Sequence, residues 1–276
     1  MHWHSKPLPE ADKIKDLQLA IGVSFEIASL LVQRGIDDFE RAKIFFRPEL
    51  KDLHDPFLML GMTAGVNRIK TAIEKHEKIM VYGDYDVDGT TSVSLVYSYL
   101  FKQLPDAIYY IPDRYDEGYG ISIKGIDKAK EQNVSLIIAL DCGIKAVDQV
   151  AYAKSLMIDF IICDHHLPGD QLPEAIAVLD PKQPACTYPY KELCGCGIGF
   201  KLLQALEKDK GNPVETLLPY IDLVSMAIAA DIVPITGENR ILTFYGLIQI
   251  NEKPRIGILS FINTLKKKLT VSDLVF

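Results

Sequence analysis

The amino-acid sequence predicts an α/β fold, namely a mostly parallel, doubly wound sheet flanked by helices, with a helical appendage at the N-terminus. Three observations support this prediction. From Met62 onward, apolar residues alternate between helical and strand spacing, which is typical of βαβ units. The predicted strands are continuous apolar runs, as expected for a sheet covered on both faces. Finally, the chain has 276 residues, of which 48% are hydrophobic, enough to fill a large core.

The N-terminal region, residues 1–56, is predicted to be a helical appendage that carries no chemistry of its own. Ile14, Leu17 and Ile21 have the spacing of one helix face, and a second apolar-periodic segment follows after a glycine turn. A third short helix is predicted around 39–46.

Residues 57–251 are predicted to form the core that contains the sheet, and residues 252–276 the start of a helical connection. Within the core, predicted helices at 63–76, 90–103, 123–131 and 145–155 alternate with strands at 78–82, 107–111, 135–140, 158–163 and 176–179. Further helices are predicted at 200–209, 216–229, 239–250 and 256–267. In such folds, functional residues gather at the carboxyl ends of the strands.

An acidic stretch directly follows the predicted strand 78–82. Its carboxylates, Asp84, Asp86 and Asp88, occupy alternate positions, so an extended backbone would place them on one face. Two unit charges ~4 Å apart repel by roughly 4 kcal/mol at an effective dielectric constant near 20. The carboxylates must therefore either bind cations or separate into water.

The acidic stretch also matches the first half of an EF-hand calcium loop. The second half is missing, because Leu95 stands where that loop needs a bidentate Glu. We therefore favour a strand, a metal-binding turn and then a helix whose N-terminal amides face an anion. Gly89 would let the backbone come close, and Thr90 or Thr91 would cap the helix.

Two further predicted strands end in polar residues. One is followed by Asp141 and the other by the triplet Asp164, His165 and His166. If these strands are neighbours, their polar ends gather with the acidic stretch at one edge of the sheet. Carboxylates with one or two imidazoles favour Mn²⁺ or Mg²⁺ over a structural zinc ion. So many ligands favour two ions that share a bridging carboxylate, an arrangement suited to phosphoester hydrolysis.

The C-terminal helical part contains two features with more than one interpretation. Asp231 lies in an apolar run, so it either faces solvent at a helix end or meets a cation. The glycine-rich turn 193–199 indicates close backbone packing or an anion-binding nest, and a metal site at Cys194 and Cys196 is the alternative.

Composition narrows the class of protein. The net charge of −7 argues against a protein that coats nucleic acid, although metal ions would neutralise acidic residues gathered at a metal site. The five cysteines form no CxxC pair and are expected to be reduced thiols. No run of eighteen apolar residues occurs, and residues 1–6 lack the apolar core of a signal peptide. We therefore expect a cytoplasmic protein without membrane association.

The sequence resembles the DHH phosphoesterase family, which is named for the triplet at 164–166. Within that family it is most similar to bacterial exonucleases specific for single-stranded DNA. Seven segments carry the resemblance in the same order: 83–89 (GDYDVDG), 112–120 (PDRYDEGYG), 140–143 (LDCG), 163–168 (CDHHLP), 179–183 (LDPKQ), 193–201 (LCGCGIGFK) and 230–240 (ADIVPITGENR).

The resemblance implies roles for individual residues. The implied ligands of two Mn²⁺ (or Mg²⁺) ions are Asp86, Asp88, Asp141, His165 and Asp231, with Asp84 as a further acidic position. Asp141 would bridge the ions, Asp164 would orient its neighbours, and His166 would contact phosphate or assist as an acid. The candidates for holding substrate phosphates are His166, Arg114, Gly89, Thr90, Gly195 and Gly197. For Arg114, a structural ion pair is the alternative.

The resemblance also implies an activity: degradation of single-stranded DNA from 5′ to 3′ into mononucleotides, in DNA repair and recombination. A repair helicase or a single-strand-binding protein is a candidate partner. Because such exonucleases continue with further DNA-gripping domains, the chain is expected to be a catalytic fragment with a weakened grip. The alternatives are a hydrolase of short oligonucleotides, cyclic dinucleotides or nucleotide 3′,5′-bisphosphates, and a non-catalytic replication or repair scaffold.

Overall fold

The computed structural model describes residues 6–275 and divides the chain into two compact units, Met1–Leu53 and His54–Phe276. Residues 1–5, which belong to the predicted appendage and to the signal-peptide argument, and residue 276 lie outside the described residues. Among residues 6–275, no helix is both long and apolar enough to cross a membrane.

The first unit contains helices α1 (Ala11–Ile21), α2 (Phe25–Val32) and α3 (Phe39–Phe46). Two of them begin at side-chain caps, because Ser24 accepts a hydrogen bond from the amide of Ile27 and Asp38 accepts one from Arg41. Their apolar faces pack into one cluster of buried residues, Ile14, Leu17, Ala28, Leu31, Ile36 and Ala42. The helical character expected here is therefore confirmed over the described residues.

The second unit is built on five parallel strands in the order β2-β1-β3-β4-β5. The strands are β1 (Lys78–Gly83), β2 (Ile108–Tyr110), β3 (Val134–Leu140), β4 (Asp159–Cys163) and β5 (Ala177–Leu179), and the helices that alternate with them are α4 (Met62–Glu74), α5 (Val87–Leu100), α6 (Ile123–Glu131) and α7 (Val147–Ser155). This order is one of the two common orders of doubly wound sheets. The predicted fold class is confirmed.

Helices cover both faces of the sheet. On one face, Met80, Ile137 and Phe160 from three neighbouring strands join a buried cluster with Ile126 of α6 and Val150 of α7. The alternate residues of the same strands point the other way, towards α4, α5 and a later helix. Since both faces are buried, the strands have no polar face, which explains their continuous apolar runs.

The remaining helices are α8 (Gly195–Asp209), α9 (Ile221–Ala230), α10 (Gly237–Glu252), α11 (Ile256–Leu265) and α12 (Val271–Val275), with a 3₁₀ helix at Val214–Tyr220. The prediction of a single helix at 216–229 is wrong, because a 3₁₀ helix followed by α9 occupies this segment. Pro219 lies in the 3₁₀ segment and has no amide hydrogen to donate, which favours the break. α12 has no counterpart among the predicted helices.

A buried polar network joins α8 to α10. The ammonium of Lys201 donates to Glu238 at 2.9 Å and to the carbonyl of His54 at 2.8 Å, and Tyr188 donates to the other oxygen of Glu238 at 2.7 Å. The Lys201 and Glu238 side chains are 0% and 1% exposed. Because each buried charge has a partner, the network fixes the start of α10 relative to α8.

Candidate metal centre

The strand order places the polar strand ends side by side. From β1 the chain moves to β2 on one side, and then to β3 on the other side, so the strand order reverses at β1 and β3. Asp84 directly follows β1, Asp141 follows β3 and Asp164 follows β4. The condition that these strands be neighbours is therefore met, and the site lies where doubly wound sheets bind their ligands.

Three carboxylates converge on His165. Its Nε2 atom lies 3.2 Å from Asp141 Oδ1, 3.6 Å from Asp231 Oδ2 and 3.8 Å from Asp88 Oδ2. These residues come from the end of β4, the end of β3, the C-cap of α9 and the first turn of α5. Asp231 thus lies at a helix end with its carboxylate in this cluster, and its contact with a cation stays a prediction.

Outside Asp88, the potential metal-ligand atoms of this cluster lack hydrogen-bond partners. Both carboxylate oxygens of Asp141, both ring nitrogens of His165 and Oδ2 of Asp231 are buried without one among the described residues. An unpaired buried polar group costs about 1–3 kcal/mol, so such a concentration is expected where a ligand binds. Two overlapping sets have ligand atoms within 4.8 Å of one another: Asp141, His165 and His166, and Asp88, His165 and Asp231. Carboxylates and imidazole together suit a divalent cation.

The pKa values of the clustered residues also indicate a cation site. Burial, followed by the charge of Asp88 and other carboxylates, raises the pKa of Asp141 to about 11. Burial and then Asp231 raise the pKa of Asp88 to about 7, against the hydrogen bonds that it accepts. Burial and the neighbouring His166 lower the pKa of His165 to about 4. The site therefore disfavours the charged form of its own carboxylates, and a bound cation would stabilise that form.

Asp88 also anchors the N-terminus of α8. Its Oδ2 accepts from the amide of Gly195 at 2.6 Å and its Oδ1 from that of Cys196 at 2.8 Å. A Cβ atom at Gly195 would lie 2.5 Å from the Cβ of Asp141, so only glycine permits this approach. The anion at this helix N-terminus is thus a protein carboxylate.

The predicted glycine-rich turn at 193–199 is wrong, because α8 already begins at Gly195, capped by Cys194. The amide of Gly197 donates to Sγ of Cys194 at 3.4 Å. Phosphate binding by Gly195 and Gly197 stays a prediction, but both amides have protein partners. Burial raises the pKa of Cys194 and Cys196, which opposes the thiolates that a metal site would need. All five cysteines are free.

The acidic stretch folds differently from the prediction. The backbone does not stay extended, because α5 begins at Val87 and Asp86 caps it by accepting from the amide of Gly89 at 2.8 Å. The predicted cap at Thr90 or Thr91 is therefore wrong, and the Thr90 hydroxyl donates to the carbonyl of Asp86 at 2.7 Å. The EF-hand alternative fails as well, because its loop positions from Val87 onward are helical.

The three carboxylates consequently have different surroundings. Asp88 faces α8, whereas Asp84 accepts from the amides of Tyr85 at 2.6 Å and Gly120 at 2.9 Å. A Cβ atom at Gly89 would lie 2.4 Å from the carbonyl oxygen of Asp84, so this glycine lets α5 start against the end of β1. Asp84 and Asp86 belong to neither set of convergent ligand atoms, and their role as ligands stays a prediction.

Asp164 fixes the two histidines. Its Oδ1 accepts from the amides of His165 at 2.7 Å and His166 at 3.1 Å and lies 2.8 Å from Nδ1 of His166, while Oδ2 accepts from the amide of Ile144 at 2.8 Å. Although burial opposes it, these hydrogen bonds lower the pKa of Asp164. The bond from Asp164 in turn raises the pKa of His166. These hydrogen bonds hold the backbone of both histidines and the ring of His166, and the orienting role of Asp164 in catalysis stays a prediction.

An aromatic series leads from His166 to the rim. The ring centroids of His166 and Tyr119 are 6.2 Å apart, those of Tyr119 and Tyr85 are 5.9 Å apart, and the Arg114 guanidinium lies 5.4 Å from the centre of the Tyr85 ring. Within residues 6–275, no ion pair of Arg114 is found, which weighs against the structural alternative. A cavity of about 360 Å³ opens beside His166, lined partly by Tyr119, Lys145 and Gln149.

The site residues that sequence reasoning missed are Tyr85, Tyr119 and Asp180. The tyrosines lie in the segments 83–89 and 112–120, but spacing alone gave no signal that they meet. Asp180 follows β5 and is fully buried, and its Oδ2 has no hydrogen-bond partner. Burial raises its pKa to about 7. The rule that polar residues at strand ends are functional would have identified Asp180.

Residues 78–228, more than half of the chain, match the family model described as DHH family, N-terminal domain. The chain therefore belongs to the DHH family.

Among its relatives, the single-stranded-DNA-specific exonuclease RecJ of Bacillus subtilis is 44% identical over 258 residues, which cover 94% of this chain and 32% of the relative. RecJ of Escherichia coli is 37% identical over 230 residues, which cover 78% of this chain and 40% of the relative.

Solved structures agree with these matches. Thermus thermophilus RecJ in complex with Mn²⁺ superposes with a TM-score of 0.81 at 25% identity, covering 98% of this chain and 38% of that one. An exonuclease RecJ bound to manganese gives a TM-score of 0.73 at 29% identity, covering 83% and 57%. The chain thus spans less than half of the length of these curated relatives.

Proposed function

We propose that this chain is the catalytic region of a metal-dependent phosphodiesterase that degrades single-stranded DNA from 5′ to 3′ and releases mononucleotides in DNA repair and recombination. The observation that carries the proposal is the group of buried, unpartnered ligand atoms around His165. It occurs in a DHH-family chain whose relatives are single-stranded-DNA-specific exonucleases. The 5′ to 3′ direction rests on resemblance to those exonucleases.

The proposed cofactor is a pair of Mn²⁺ (or Mg²⁺) ions, with Asp88, Asp141, His165 and Asp231 as ligands. Asp141 is the proposed bridge, since both of its oxygens are buried without hydrogen-bond partners. Bound there, divalent ions would polarise a phosphate and lower the pKa of a bound water. The protein contributes a rigid frame, because Asp88, Asp141 and α8 are in direct contact.

His166 is the proposed general acid. Its Nδ1 is engaged by Asp164 at 2.8 Å, so Nε2 is the ring nitrogen left for substrate. Since Asp164 raises its pKa, His166 holds a proton closer to neutral pH than an ordinary histidine and can donate it to the departing oxygen. Tyr119 and Arg114, at the rim, are placed to contact a base or phosphate of the entering strand.

Several wider features belong to the same proposal. We keep 1–56 as the appendage, 57–251 as the catalytic core and 252–276 as the start of a connection. A repair helicase or a single-strand-binding protein is the proposed partner, and the cytoplasm the proposed location. The supports are resemblance and, over residues 6–275, the absence of a helix that could cross a membrane.

A second candidate is a DHH hydrolase for dinucleotides or other small phosphoesters. The cavity of about 360 Å³ beside His166 favours it, because that volume suits a single nucleotide. A non-catalytic scaffold is disfavoured, since such a role would not require unpaired buried carboxylates around His165.

The experiment is a Mn²⁺-dependent digestion of single-stranded DNA labelled separately at each end, with double-stranded DNA and a dinucleotide alongside. Asp141→Asn serves as the inactive control. Mononucleotides released from the 5′ end of single strands only would support the proposal. Cleavage of the dinucleotide alone would favour the second candidate, and no metal-dependent cleavage of any substrate would contradict both.

A further inference from the structure

The cavity of about 360 Å³ beside His166 is bordered by three loops at the carboxyl edge of the sheet. Residues 119–121 follow β2, residues from 142–149 follow β3, and Asp164 and His166 follow β4. The ring centroid of His166 lies 4.5 Å from that of His165, on which the carboxylates converge. His166 therefore borders both the cavity and the candidate metal centre.

Hydrogen bonds hold two of these loops in place. The amide of Gly120 donates to Asp84 at 2.9 Å, and its carbonyl accepts from the hydroxyl of Tyr82 at 2.9 Å. On the loop after β3, the amide of Ile144 donates to Asp164 at 2.8 Å. Because Tyr82, Asp84 and Asp164 are buried, these bonds are shielded from water. The cavity is thus a preformed part of the fold, as ligand sites usually are.

Part of the cavity wall is apolar. Ile121, Cys142 and Ile144 contribute buried side chains, and Tyr119 contributes an aromatic ring. Aromatic and aliphatic side chains suit the flat face of a nucleotide base. The volume lies near the lower end of the range for ligand pockets, so it has room for one nucleotide and not for an oligonucleotide.

Two polar side chains of the wall are free to contact a ligand. Among residues 6–275, neither the ammonium of Lys145 nor the side-chain amide of Gln149 has a hydrogen bond or an ion pair. The other charged groups of the wall, Asp164 and His166, bind each other. Lys145 therefore supplies a permanent positive charge that the described protein leaves unpaired. A lysine ammonium is a flexible point charge that suits phosphate oxygens.

The position of His166 determines which part of a substrate would enter the cavity. In the proposed function, Nε2 of His166 gives its proton to the departing oxygen. The nucleotide that carries this oxygen therefore leaves on the side of His166, where the cavity opens. A cavity for one nucleotide suits the single nucleotide cut from a strand end, whereas the remaining strand is too long for it.

We propose that this cavity binds the mononucleotide released at the metal centre, with Lys145 paired to its phosphate and Gln149 hydrogen-bonded to its base. This inference rests on the proposed function. It adds a product subsite on the far side of His166 from the metal ligands. Because a new strand end would need the same space, the released mononucleotide should compete with DNA.

The test is a titration of the full chain with thymidine 5′-monophosphate, followed by NMR in the presence of chelator, so that phosphate cannot bind through a metal ion. The largest shifts are expected for the amides of residues 143–149. Lys145→Met removes the charge and keeps most of the length, so binding should weaken about tenfold or more. Lys145→Arg should restore most of it. Thymidine, which lacks the phosphate, should bind Lys145→Met as it binds the wild type.

Lys182→Met is the matched control. The ammonium of Lys182 also has no hydrogen bond or ion pair within residues 6–275, but its side chain does not line the cavity. This variant should bind the probe as the wild type does, and the melting temperature should be unchanged in both methionine variants. Gln149→Leu should weaken the binding of thymidine and of its monophosphate alike, by about three- to tenfold.

A second measurement tests the role of the subsite in turnover. In the Mn²⁺-loaded chain, thymidine 5′-monophosphate should inhibit the digestion of single-stranded DNA, and it should inhibit Lys145→Met more weakly than the wild type. Equal inhibition of the two chains would overturn the assignment of the cavity to the product.

The inference is also overturned if the wild type does not bind the probe, if Lys145→Met binds it as the wild type does, or if Lys182→Met weakens binding as much as Lys145→Met. Digestion of DNA by a chain that does not bind the probe would reject this inference alone. Binding that depends on Lys145, without metal-dependent cleavage of any substrate, would reject the proposed function and keep the cavity as a nucleotide site.

Discussion

The ends of β3 and β4 carry the same residue type in opposite circumstances. Asp141 and Asp164 are each 1% exposed and follow neighbouring strands of one sheet. The carboxylate of Asp164 takes part in four hydrogen bonds, whereas the carboxylate of Asp141 has no hydrogen-bond partner within residues 6–275. The pKa of Asp164 is accordingly lowered, and that of Asp141 is raised to about 11. The comparison teaches that burial alone does not define a ligand: satisfied oxygens anchor a loop, and unsatisfied oxygens are left for a cation.

Local backbone geometry produces the difference. After β4, the chain turns so that the amides of His165 and His166 point back at Asp164. After β3, Asp141 adopts a left-handed conformation with φ of 60° and meets Gly195 instead of amide donors. Aspartate and asparagine tolerate this conformation better than most residues, which guides the choice of variants.

The largest expected effect is that of Asp141→Asn. Asparagine keeps the shape and tolerates the left-handed backbone, but it removes the charge at the proposed bridge. Hydrolysis should fall on the order of 10³-fold. In the presence of chelator, the free energy of unfolding should rise by about 1–3 kcal/mol, because a neutral amide replaces a buried carboxylate without partners. Steady-state kinetics and urea denaturation measure the two effects.

The pH dependence of the chelated protein sharpens the same prediction. The folded pKa values of Asp141 and Asp88 lie above the unfolded value of about 3.9, so protonation favours the folded state. Their contribution to the free energy of unfolding is fully present below about pH 4 and is lost as the pH rises through 7 and beyond. The decline between about pH 5 and 8 should be shallower in Asp141→Asn. Equal declines would count against the assignment of Asp141 as the most strained carboxylate.

An intermediate effect is expected for Asp164→Asn, which breaks the opposite member of the comparison. The amide group cannot accept all four hydrogen bonds, so the free energy of unfolding should fall by about 2–4 kcal/mol. Activity should fall about 10- to 100-fold. The pKa of His166 should move down towards its ordinary value, which NMR titration of the chelated protein would detect. An unchanged His166 pKa would contradict the orienting role of Asp164.

Asp164 and His166 contribute to the stability of the folded chain with opposite dependences on pH. Because the pKa of Asp164 is lowered on folding, its contribution to stability is present above about pH 3.9 and is lost as the pH falls through the folded pKa. Because the pKa of His166 is raised, its contribution is present below about pH 6.5 and is lost as the pH rises through the folded pKa. Asp164→Asn should remove both dependences, whereas Asp141→Asn should leave them.

The smallest expected effect is that of Gly195→Ala. The new methyl group would lie 2.5 Å from the Cβ of Asp141, so α8 must move away, at a cost of about 1–3 kcal/mol in the free energy of unfolding. Manganese affinity should fall with it. Gly257→Ala, in α11 with no atom within 4 Å of the added group, is the control and should gain up to about 1 kcal/mol. Equal stabilities for the two variants would show that α8 does not press on Asp141.

The sequence predicted the sheet because apolar runs and their spacing are local properties. It also predicted the gathering of Asp141 and His165, since both follow strands and parallel strands end at one edge. The sequence-based prediction failed where neighbouring residues of one type have different structural roles. Asp86 caps a helix and Asp88 binds the start of α8, 107 residues later, although both belong to one acidic stretch. Periodicity contains no information on which partner a carboxylate finds.

The position of Asp231 determines how far the chain can be shortened from its C-terminal end. The family match ends at residue 228, three positions before a group that lies 3.6 Å from His165. The loop after Asp231 is in turn tied down from α10, because Asn239 donates to the carbonyl of Pro234 at 3.0 Å. A chain shortened to the matched segment would therefore keep the family signature and lose one of the proposed metal ligands. A fragment that keeps both Asp231 and this support extends into α10, at least to Asn239.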